Sequence, residues 1–210
     1  MFSGEQAVEW VRRTAAVMEA NADLLTRLDA AIGDADHGIN MHRGFRAVLQ
    51  RLDGLTDKDF SSVLRAVSMA LIGKVGGAAG PLYGSFYLGM GKRLGSAEEA
   101  VDAELAAALR AGYDAVVARG RAQVGDKTML DAWDPALRAL DGAIAEGVEL
   151  APALDRAAAA AEQGMKATIP LIARKGRASY LGERSRDHQD PGATSTQLIV
   201  QALADVVNGR

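Results

Sequence analysis

The stretch VEWVRRTAAVMEANADLL, residues 8–25, decides the fold class. Its apolar residues recur at intervals of three and four, which places them on one stripe of an α-helix: Val8, Val11, Ala15, Met18, Ala22 and Leu25. Just upstream, Ser3 and Gln6 have the spacing of a capping box, in which each side chain binds a free backbone N–H group of the first turn. We therefore predict one amphipathic helix whose start is set by the local sequence.

Helical periodicity returns throughout the chain. Five further segments repeat apolar residues with the same period: residues 60–71, 98–117, 129–144, 154–172 and 197–207. Ser96 and Glu99 have the spacing of a second capping box. Pro135 and Pro170 fall inside these patterns, where each should bend a helix or mark its beginning.

Signals for strands are missing from the sequence. Alternating runs of β-branched and aromatic residues do not occur, and aromatic residues make up only 5% of the chain. No linker, repeat or shift in composition divides the sequence. We predict an all-α fold with a single domain over residues 1–210, built from about eight antiparallel helices in a bundle or closed barrel.

The composition excludes several classes of function. The chain has no cysteine, so disulfides, thiolate zinc sites and a cysteine nucleophile are ruled out. A net charge of −3 lacks the basic excess of a general nucleic-acid binder. The sequence starts with no basic and apolar leader, and no apolar run approaches the ~18 residues of a membrane span. We expect a soluble cytoplasmic protein that binds neither membrane nor nucleic acid.

Four stretches interrupt the helical pattern, and we look for function there: residues 28–43, 73–85, 120–129 and 174–196. The first brings three carboxylates within eight residues, at Asp29, Asp34 and Asp36. In a loop punctuated by glycine these side chains can converge, and such a concentration of negative charge favours a bound cation. An all-oxygen ligand set without cysteine favours Mg²⁺ first, then Ca²⁺ or Mn²⁺. A calcium-binding EF-hand is rejected, because the position that needs Glu holds Phe45.

A second interpretation of this acidic loop stays open. Aspartates also cap helices and line solvated turns, and Asp36 or Gly38 could simply start the helix that carries residues 41–52. His37 alone is compatible with a ligand, a hydrogen-bond donor or an exposed side chain.

The other three stretches carry features of an anion or nucleotide site. The glycine-rich residues 76–85 let a backbone approach a phosphate at a helix start, although they lack the P-loop pattern and equally suit a tight helix–helix turn. Arg177 suits a phosphate contact, and the amides of residues 192–194 could meet a ligand as the last helix begins. Met129 suits one wall of an adenine slot or the core. The alternative for the arginine-rich loop is surface salt bridging.

Five motifs in these stretches together resemble the dihydroxyacetone kinase L family. They are IGDADHGINM at 32–41, GGAAGPLYG at 76–84, GDKTM at 125–129, GRASYLGER at 176–184 and HQDPGAT at 188–194. Their order, spacing and length agree with the family over essentially the whole chain. Within the family, the resemblance is greatest to the ADP-binding L subunits of phosphoenolpyruvate-dependent enzymes.

The resemblance implies an eight-helix barrel that forms one nucleotide-binding domain and holds ADP or ATP through two Mg²⁺ ions. By motif position the metal ligands would be Asp29, Asp34 and Asp36, which together with Arg177 would also be the catalytic residues. The residues that would bind the nucleotide are His37, Gly38, Ile39, Asn40, Ala78, Ala79, Gly120, Met129, Arg177, Asp190, Pro191 and Gly192.

The sequence departs from the family at Ala79, where members commonly carry a hydroxyl residue. The backbone N–H group is retained, so phosphate binding should be too. One neutral hydrogen bond contributes ~1 kcal/mol, so its loss corresponds to about fivefold in affinity.

The resemblance also implies partners and a reaction. Phosphate would pass from a phosphocarrier M subunit, through bound ADP, to dihydroxyacetone held covalently by a histidine of a separate K subunit. Alternatives are an ATP-exchanging L component of a related triose or ketose kinase, and a nucleotide-sensing module that touches a transcription regulator. A phosphohydrolase that uses the aspartates is a further alternative, although no residue stands out for orienting water.

Overall fold

Helices form nearly all the regular structure of this protein. The computed structural model describes residues 1–55 and 59–210, and none of the predicted site residues falls between these ranges. Nine α-helices are found in the described residues: α1 Gly4–Ala20, α2 Ala22–Ile32, α3 His37–Leu52, α4 Phe60–Lys74, α5 Ala79–Leu94, α6 Asp102–Gly120, α7 Leu130–Ala145, α8 Leu150–Ala167 and α9 Pro191–Val207. A 3₁₀ segment at Arg177–Ser185 precedes α9.

Eight of these helices form a closed ring. Each of α3 to α8 packs against the next helix in the chain, while α1 packs against both α3 and α9 and so closes the circle. Helix α2 stands beside the ring and contacts α3, α9 and the 3₁₀ segment. This arrangement confirms the predicted all-α, eight-helix barrel.

Aromatic side chains make ring contacts inside a core that is otherwise mostly aliphatic. Phe86 of α5 stacks on Trp133 of α7, with ring centroids 4.2 Å apart. Trp10 of α1 contacts Tyr87, and its indole N–H group donates to the carbonyl of Ile199 in α9 at 3.0 Å. This buried hydrogen bond joins the first and last helices where the ring closes.

The beginning of α1 follows the prediction, but its end does not. The side chain of Ser3 accepts from the Gln6 N–H group, and the Gln6 side chain accepts from the Ser3 N–H group. The predicted single helix over residues 8–25 is wrong, because the chain leaves helical geometry at Asn21 (φ −107°, ψ 11°). The apolar stripe continues across this break, which hides it from a periodicity argument.

Three other expectations are wrong: a helix cap at Ser96, the lack of strands, and a helix that continues through Pro170. Ser96 and Glu99 do not cap a helix: Glu99–Ala100 is strand β2, which pairs antiparallel with strand β1, Phe2–Ser3. This pairing delays α6 to Asp102 and adds a two-residue ribbon to a chain predicted to lack strands. Pro170 lies beyond the end of α8, whereas Pro135 is indeed inside α7. Among the described residues, no helix is long and apolar enough to cross a membrane.

Candidate functional site

The four predicted functional stretches meet at one cavity of about 440 Å³. Helices α3, α5, α7 and α9 begin beside this cavity, and α2 and α6 end there. The cavity therefore lies at one end of the barrel. The N-terminal ends of four helices, which are the positive ends of their dipoles, lie beside it and favour an anionic ligand.

The acidic loop is much shorter than the sequence suggested, because only residues 33–36 separate α2 from α3. Gly33 allows this tight connection: a Cβ atom at this position would overlap the carboxylate of Asp29. Ala35 adopts a positive φ of 61°, which turns the chain between Asp34 and Asp36. As a result, one carboxylate oxygen from each of Asp29, Asp34 and Asp36 lies within 4.8 Å of the others.

The capping interpretation explains only one of these three aspartates. Asp29 is buried, and its Oδ2 atom accepts from the N–H groups of Asp36 at 2.8 Å and His37 at 3.1 Å, so it caps α3 from the preceding helix. Asp36 stands at the N-cap position of α3, but its side chain makes no capping hydrogen bond. Three convergent carboxylates form an all-oxygen set of the kind that hard divalent cations take in proteins.

Arg177 reaches this cluster from the 3₁₀ segment. Its Nε atom lies 2.9 Å from Oδ2 of Asp34, and both side chains are partly exposed. Below it, Ala178 packs with Ile32 and Ala173 in a small apolar cluster that joins the segment to α2. The guanidinium group therefore lies at the acidic loop, lines the same cavity and neutralises part of the negative charge.

His37 begins a chain of buried hydrogen bonds that runs behind the cavity. Its Nε2 atom lies 2.9 Å from Oγ of Ser195, and Oγ lies 2.7 Å from the hydroxyl of Tyr83. The Tyr83 hydroxyl also contacts Oγ1 of Thr196 at 2.9 Å and the carbonyl of Gly192 at 3.1 Å. Burial lowers the pKa of His37, and the nearby carboxylates of Asp29 and Asp36 raise it in part.

Asn40 presents its amide group to the cavity in one orientation. Its Oδ1 atom accepts from Nη2 of Arg43 at 2.6 Å, and Nε of Arg43 donates to the carbonyl of Lys74 at 2.9 Å. A Cβ atom on Gly76 would lie 3.0 Å from Nδ2 of Asn40. The glycine-rich turn thus leaves room for the Asn40 amide, whose oxygen is already occupied by Arg43.

The start of α9 supplies a buried carboxyl group. Asp190 caps this helix, because its Oδ2 atom accepts from the N–H group of Ala193 at 2.7 Å. Burial raises the pKa of Asp190 to about 7, and the nearby ammonium group of Lys127 lowers it in part. A protonated Asp190 can donate a hydrogen bond as well as accept one.

The remaining wall of the cavity is apolar. Met129 and Gly120 line it together with residues that the sequence analysis did not single out: Leu82, Val116, Ala122 and Leu130. Arg119 and Lys175 also line the cavity and add positive charge. Such a wall beside a polar end is typical of sites for ligands with one flat apolar part and one charged part.

The structure places the predicted site residues as follows. The lining of the cavity includes Asp29, Asp34, Asp36, His37, Asn40, Ala78, Ala79, Gly120, Met129, Arg177, Asp190, Pro191 and Gly192. Gly38 and Ile39 are not part of this lining. Gly38 is buried where α3 crosses α2, and a Cβ atom there would overlap the carbonyl of Ala22. Ile39 points outward and is 57% exposed.

Sequence reasoning missed Tyr83, Ser195 and Arg43. Tyr83 lies inside the glycine-rich motif and Ser195 directly follows the last motif, so both were within the selected stretches. Their pairing joins residues 112 positions apart in the chain. The sequence holds no signal for a contact of that range.

Comparisons with known proteins agree with this geometry. The profile of the DAK2 domain family matches residues 31–205. The chain is 43% identical over 203 residues to the ADP-binding subunit DhaL of the PEP-dependent dihydroxyacetone kinase of Escherichia coli, with 97% of each chain covered. It is 40% identical over 208 residues to the ADP-binding subunit DhaL of the PTS-dependent dihydroxyacetone kinase of Lactococcus lactis, with 99% of this chain and 100% of that subunit covered.

A solved structure shares the fold. The crystal structure of the dihydroxyacetone kinase of C. freundii in complex with AMP-PNP and Mg²⁺ superposes with a TM-score of 0.71 and 26% sequence identity. The match covers 93% of this chain and 33% of that kinase, so this chain spans about a third of its length.

Proposed function

This chain belongs to the DAK2 domain family, and we propose that it is the ADP-binding L subunit of a phosphoenolpyruvate-dependent dihydroxyacetone kinase, a phosphotransferase. Phosphate would pass from a phosphocarrier M subunit, through ADP bound to this chain, to dihydroxyacetone on a separate K subunit. The observation that carries the proposal is the convergence of Asp29, Asp34 and Asp36 at a cavity faced by four helix N-termini.

The three aspartates suit two Mg²⁺ ions with a diphosphate. Their oxygens are close enough to share cations, and Asp34 is exposed enough to meet a ligand from the cavity side. Bound there, the ions would neutralise the phosphates and hold them in line for transfer. Asp29 would also fix the acidic loop, because the same carboxylate caps α3.

Backbone and side-chain donors would hold the phosphates from the other sides. The N–H groups of Ala78 and Ala79 lie at the start of α5, and residues 190–192 form the start of α9. Arg177 adds a guanidinium group that can stabilise charge as it develops on the transferred phosphoryl group. Ala79 contributes no side-chain hydroxyl, so we expect about fivefold weaker binding than with a hydroxyl at this position.

The apolar wall suits the base of the nucleotide. Met129, Leu82 and Val116 offer a surface against which a flat ring can pack, and Gly120 lets the ring approach the end of α6. His37 and Asn40 border the cavity between this wall and the acidic loop, where they would contact the nucleotide. The predicted nucleotide contacts of Gly38 and Ile39 would have to come from the backbone of the first turn of α3.

Calorimetry with ADP and Mg²⁺ tests the binding proposal. We expect the purified chain to bind ADP only with Mg²⁺ present, and Asp34→Asn to weaken this binding strongly. The matched control is Asp141→Asn, which removes a surface carboxylate that pairs with Arg110 and does not line the cavity. Unchanged affinity in the Asp34 variant would count against the metal assignment.

Reconstitution separates the proposed reaction from its alternatives. Loaded with ADP and Mg²⁺ and mixed with K subunit, phosphorylated M subunit and dihydroxyacetone, the chain should yield triose phosphate, and ADP should stay bound through gel filtration. Rapid exchange with turnover on ATP would instead favour an ATP-dependent triose or ketose kinase. Binding without transfer would favour a nucleotide-sensing module, and steady phosphate release by the chain alone would favour a phosphohydrolase.

A further inference from the structure

Lys127 is a buried lysine that the proposed reaction does not use. It lies in the loop between α6 and α7, is only 1% exposed and has a positive φ of 63°. Its ammonium group donates to four backbone carbonyls: those of Thr168 at 2.9 Å, Ile169 at 3.3 Å, Leu171 at 3.0 Å and Ser185 at 2.7 Å. An ammonium group has three N–H donors, so its donor capacity is fully used here.

These four carbonyls lie at the two ends of one loop. Thr168, Ile169 and Leu171 follow the end of α8, whereas Ser185 ends the 3₁₀ segment. Two more hydrogen bonds join the same ends: the Ala173 N–H group donates to Oγ of Ser185 at 2.9 Å, and the Asp187 N–H group donates to the carbonyl of Ile169 at 2.8 Å. Residues 168–187 therefore form a closed loop, and the Lys127 ammonium group sits at its base.

The far end of this loop carries Arg177. Beyond the base, the loop is held by the small apolar cluster around Ile32 and by the pair between Arg177 and Asp34. A further hydrogen bond joins the 168–187 loop to the loop between α6 and α7: the carbonyl of Asp126, next to Lys127, accepts from the Arg174 N–H group at 3.0 Å. The contacts at the base therefore act together with this apolar cluster to place Arg177 over the acidic loop.

We propose that Lys127 is a positioning residue, which acts through the 168–187 loop to hold Arg177 where it can meet the phosphates of a nucleoside diphosphate. The proposal rests on the proposed function. A displacement of about 1 Å in a group that binds the transferred phosphate is enough to reduce affinity and rate substantially. The four carbonyls stabilise the buried ammonium group. Burial lowers the pKa of Lys127, and the nearby Asp190 and Asp187 raise it in part.

The decisive variant is Lys127→Met, which keeps the length of the side chain and removes its donors. We expect it to weaken Mg²⁺-dependent ADP binding by roughly tenfold or more, the range typical of residues that orient binding groups. The control is Lys166→Met, since Lys166 is an exposed lysine that pairs with Glu162 on α8, and we expect this variant to bind like the unmodified chain.

A double-mutant cycle with Arg177→Ala distinguishes positioning from a general loss of stability. If Lys127 acts through Arg177, Lys127→Met should cost less than about twofold in affinity once Arg177 is absent. Should Lys127→Met fail to fold, Ser185→Ala tests the same base, because it removes the hydroxyl that accepts from the Ala173 N–H group. Ser185→Ala should weaken ADP binding less than Lys127→Met does, and this loss should also disappear when Arg177 is replaced by alanine.

Two results would overturn the proposal. One is unchanged ADP affinity in a folded Lys127→Met or Ser185→Ala protein. The other is an equal loss of affinity with and without Arg177, which would show that the lysine acts elsewhere. If the unmodified chain fails to bind ADP with Mg²⁺, the proposed function fails and this proposal with it, whereas tight binding that Lys127→Met leaves unchanged overturns this proposal alone.

Discussion

Arg177 Nε lies 2.9 Å from Asp34 Oδ2, although the two residues are separated by most of the sequence. Asp34 belongs to the turn between α2 and α3, and Arg177 begins the 3₁₀ segment before α9. The pair links the acidic loop, where we place the metal ions, to the loop that Lys127 holds. The guanidinium group partly balances the negative charge of the acidic loop.

Replacing Arg177 should weaken ADP binding without lowering the stability of the fold. The pair is well exposed, with 67% of the Arg177 side chain accessible, and such pairs contribute only ~0–1 kcal/mol. Arg177→Met should therefore leave the urea midpoint nearly unchanged and weaken ADP binding clearly. Arg156→Met, which breaks an exposed pair between α8 and Glu146, should change neither quantity. A large loss of stability in Arg177→Met without a loss of affinity would contradict the assigned role.

Gly33 should be required for the acidic loop. In Gly33→Ala, the new Cβ atom would force the Asp29 carboxylate away from the N–H groups of Asp36 and His37. We expect a loss of about 1 kcal/mol from the lost cap, together with roughly tenfold weaker Mg²⁺-dependent ADP binding. Chemical unfolding and calorimetry measure the two effects.

Gly142→Ala is the matched control for that change. Gly142 lies in α7, and a Cβ atom there meets no other atom within 4 Å. Alanine is favoured over glycine in a helix, so the control should be neutral or slightly stabilising and should keep its ADP affinity. Wild-type affinity in Gly33→Ala would show that the position of Asp29 does not matter for binding.

Two neighbouring tyrosines should respond oppositely to loss of their hydroxyl groups. The Tyr83 hydroxyl contacts Ser195, Thr196 and Gly192. Tyr83→Phe should therefore lower the free energy of unfolding by about 1–3 kcal/mol and leave Ser195, the partner of His37, with one hydrogen bond fewer. The hydroxyl of Tyr87 is buried and has no hydrogen-bond partner among the described residues. Tyr87→Phe should accordingly be neutral or stabilising. Equal losses in the two variants, measured by urea unfolding, would argue against the buried chain.

Asp190 should make stability fall as pH rises. Its pKa is about 7 in the folded protein and near the ordinary 3.8 when unfolded, so the folded state holds an extra proton between these values. Its contribution is greatest below pH 4 and is lost as pH rises through 7, with a slope of at most ~1.4 kcal/mol per pH unit. Asp190→Asn keeps the acceptor for the Ala193 N–H group and should remove this trend.

Urea unfolding in EDTA at pH 5, 6, 7 and 8 measures the Asp190 effect as the difference between the unmodified chain and the variant. Asp141→Asn, on the surface of α7, should leave the pH dependence of the unmodified chain intact. A constant difference between the unmodified chain and Asp190→Asn over this range would show that Asp190 stays ionised in the folded protein.

The sequence predicts the ring of helices and the stretches that form the cavity, because apolar periodicity and glycine-rich interruptions are local properties. It does not predict the break at Asn21, since the apolar stripe runs through it without a change of period. It also treats Gly38 as a site residue, whereas the structure uses the missing Cβ atom of Gly38 to bring α3 close to α2.

Contacts to backbone atoms are the hardest to predict from a sequence. Every partner of the Lys127 ammonium group is a main-chain carbonyl, so no particular side chain has to accompany the lysine. The link between Tyr83 and Ser195 is equally hard to predict, because it depends on where the barrel places α5 and α9. Such contacts become apparent only when the helices are placed in three dimensions.

Anomalous diffraction from crystals grown with Mn²⁺ and ADP tests the central claim most directly. Manganese takes the same oxygen ligands as magnesium and scatters anomalously. We predict two anomalous peaks within coordination distance of the carboxylates of Asp29, Asp34 and Asp36, with the phosphates of ADP bound on the cavity side. Crystals in which ADP occupies the cavity while these carboxylates carry no anomalous peak would contradict the account.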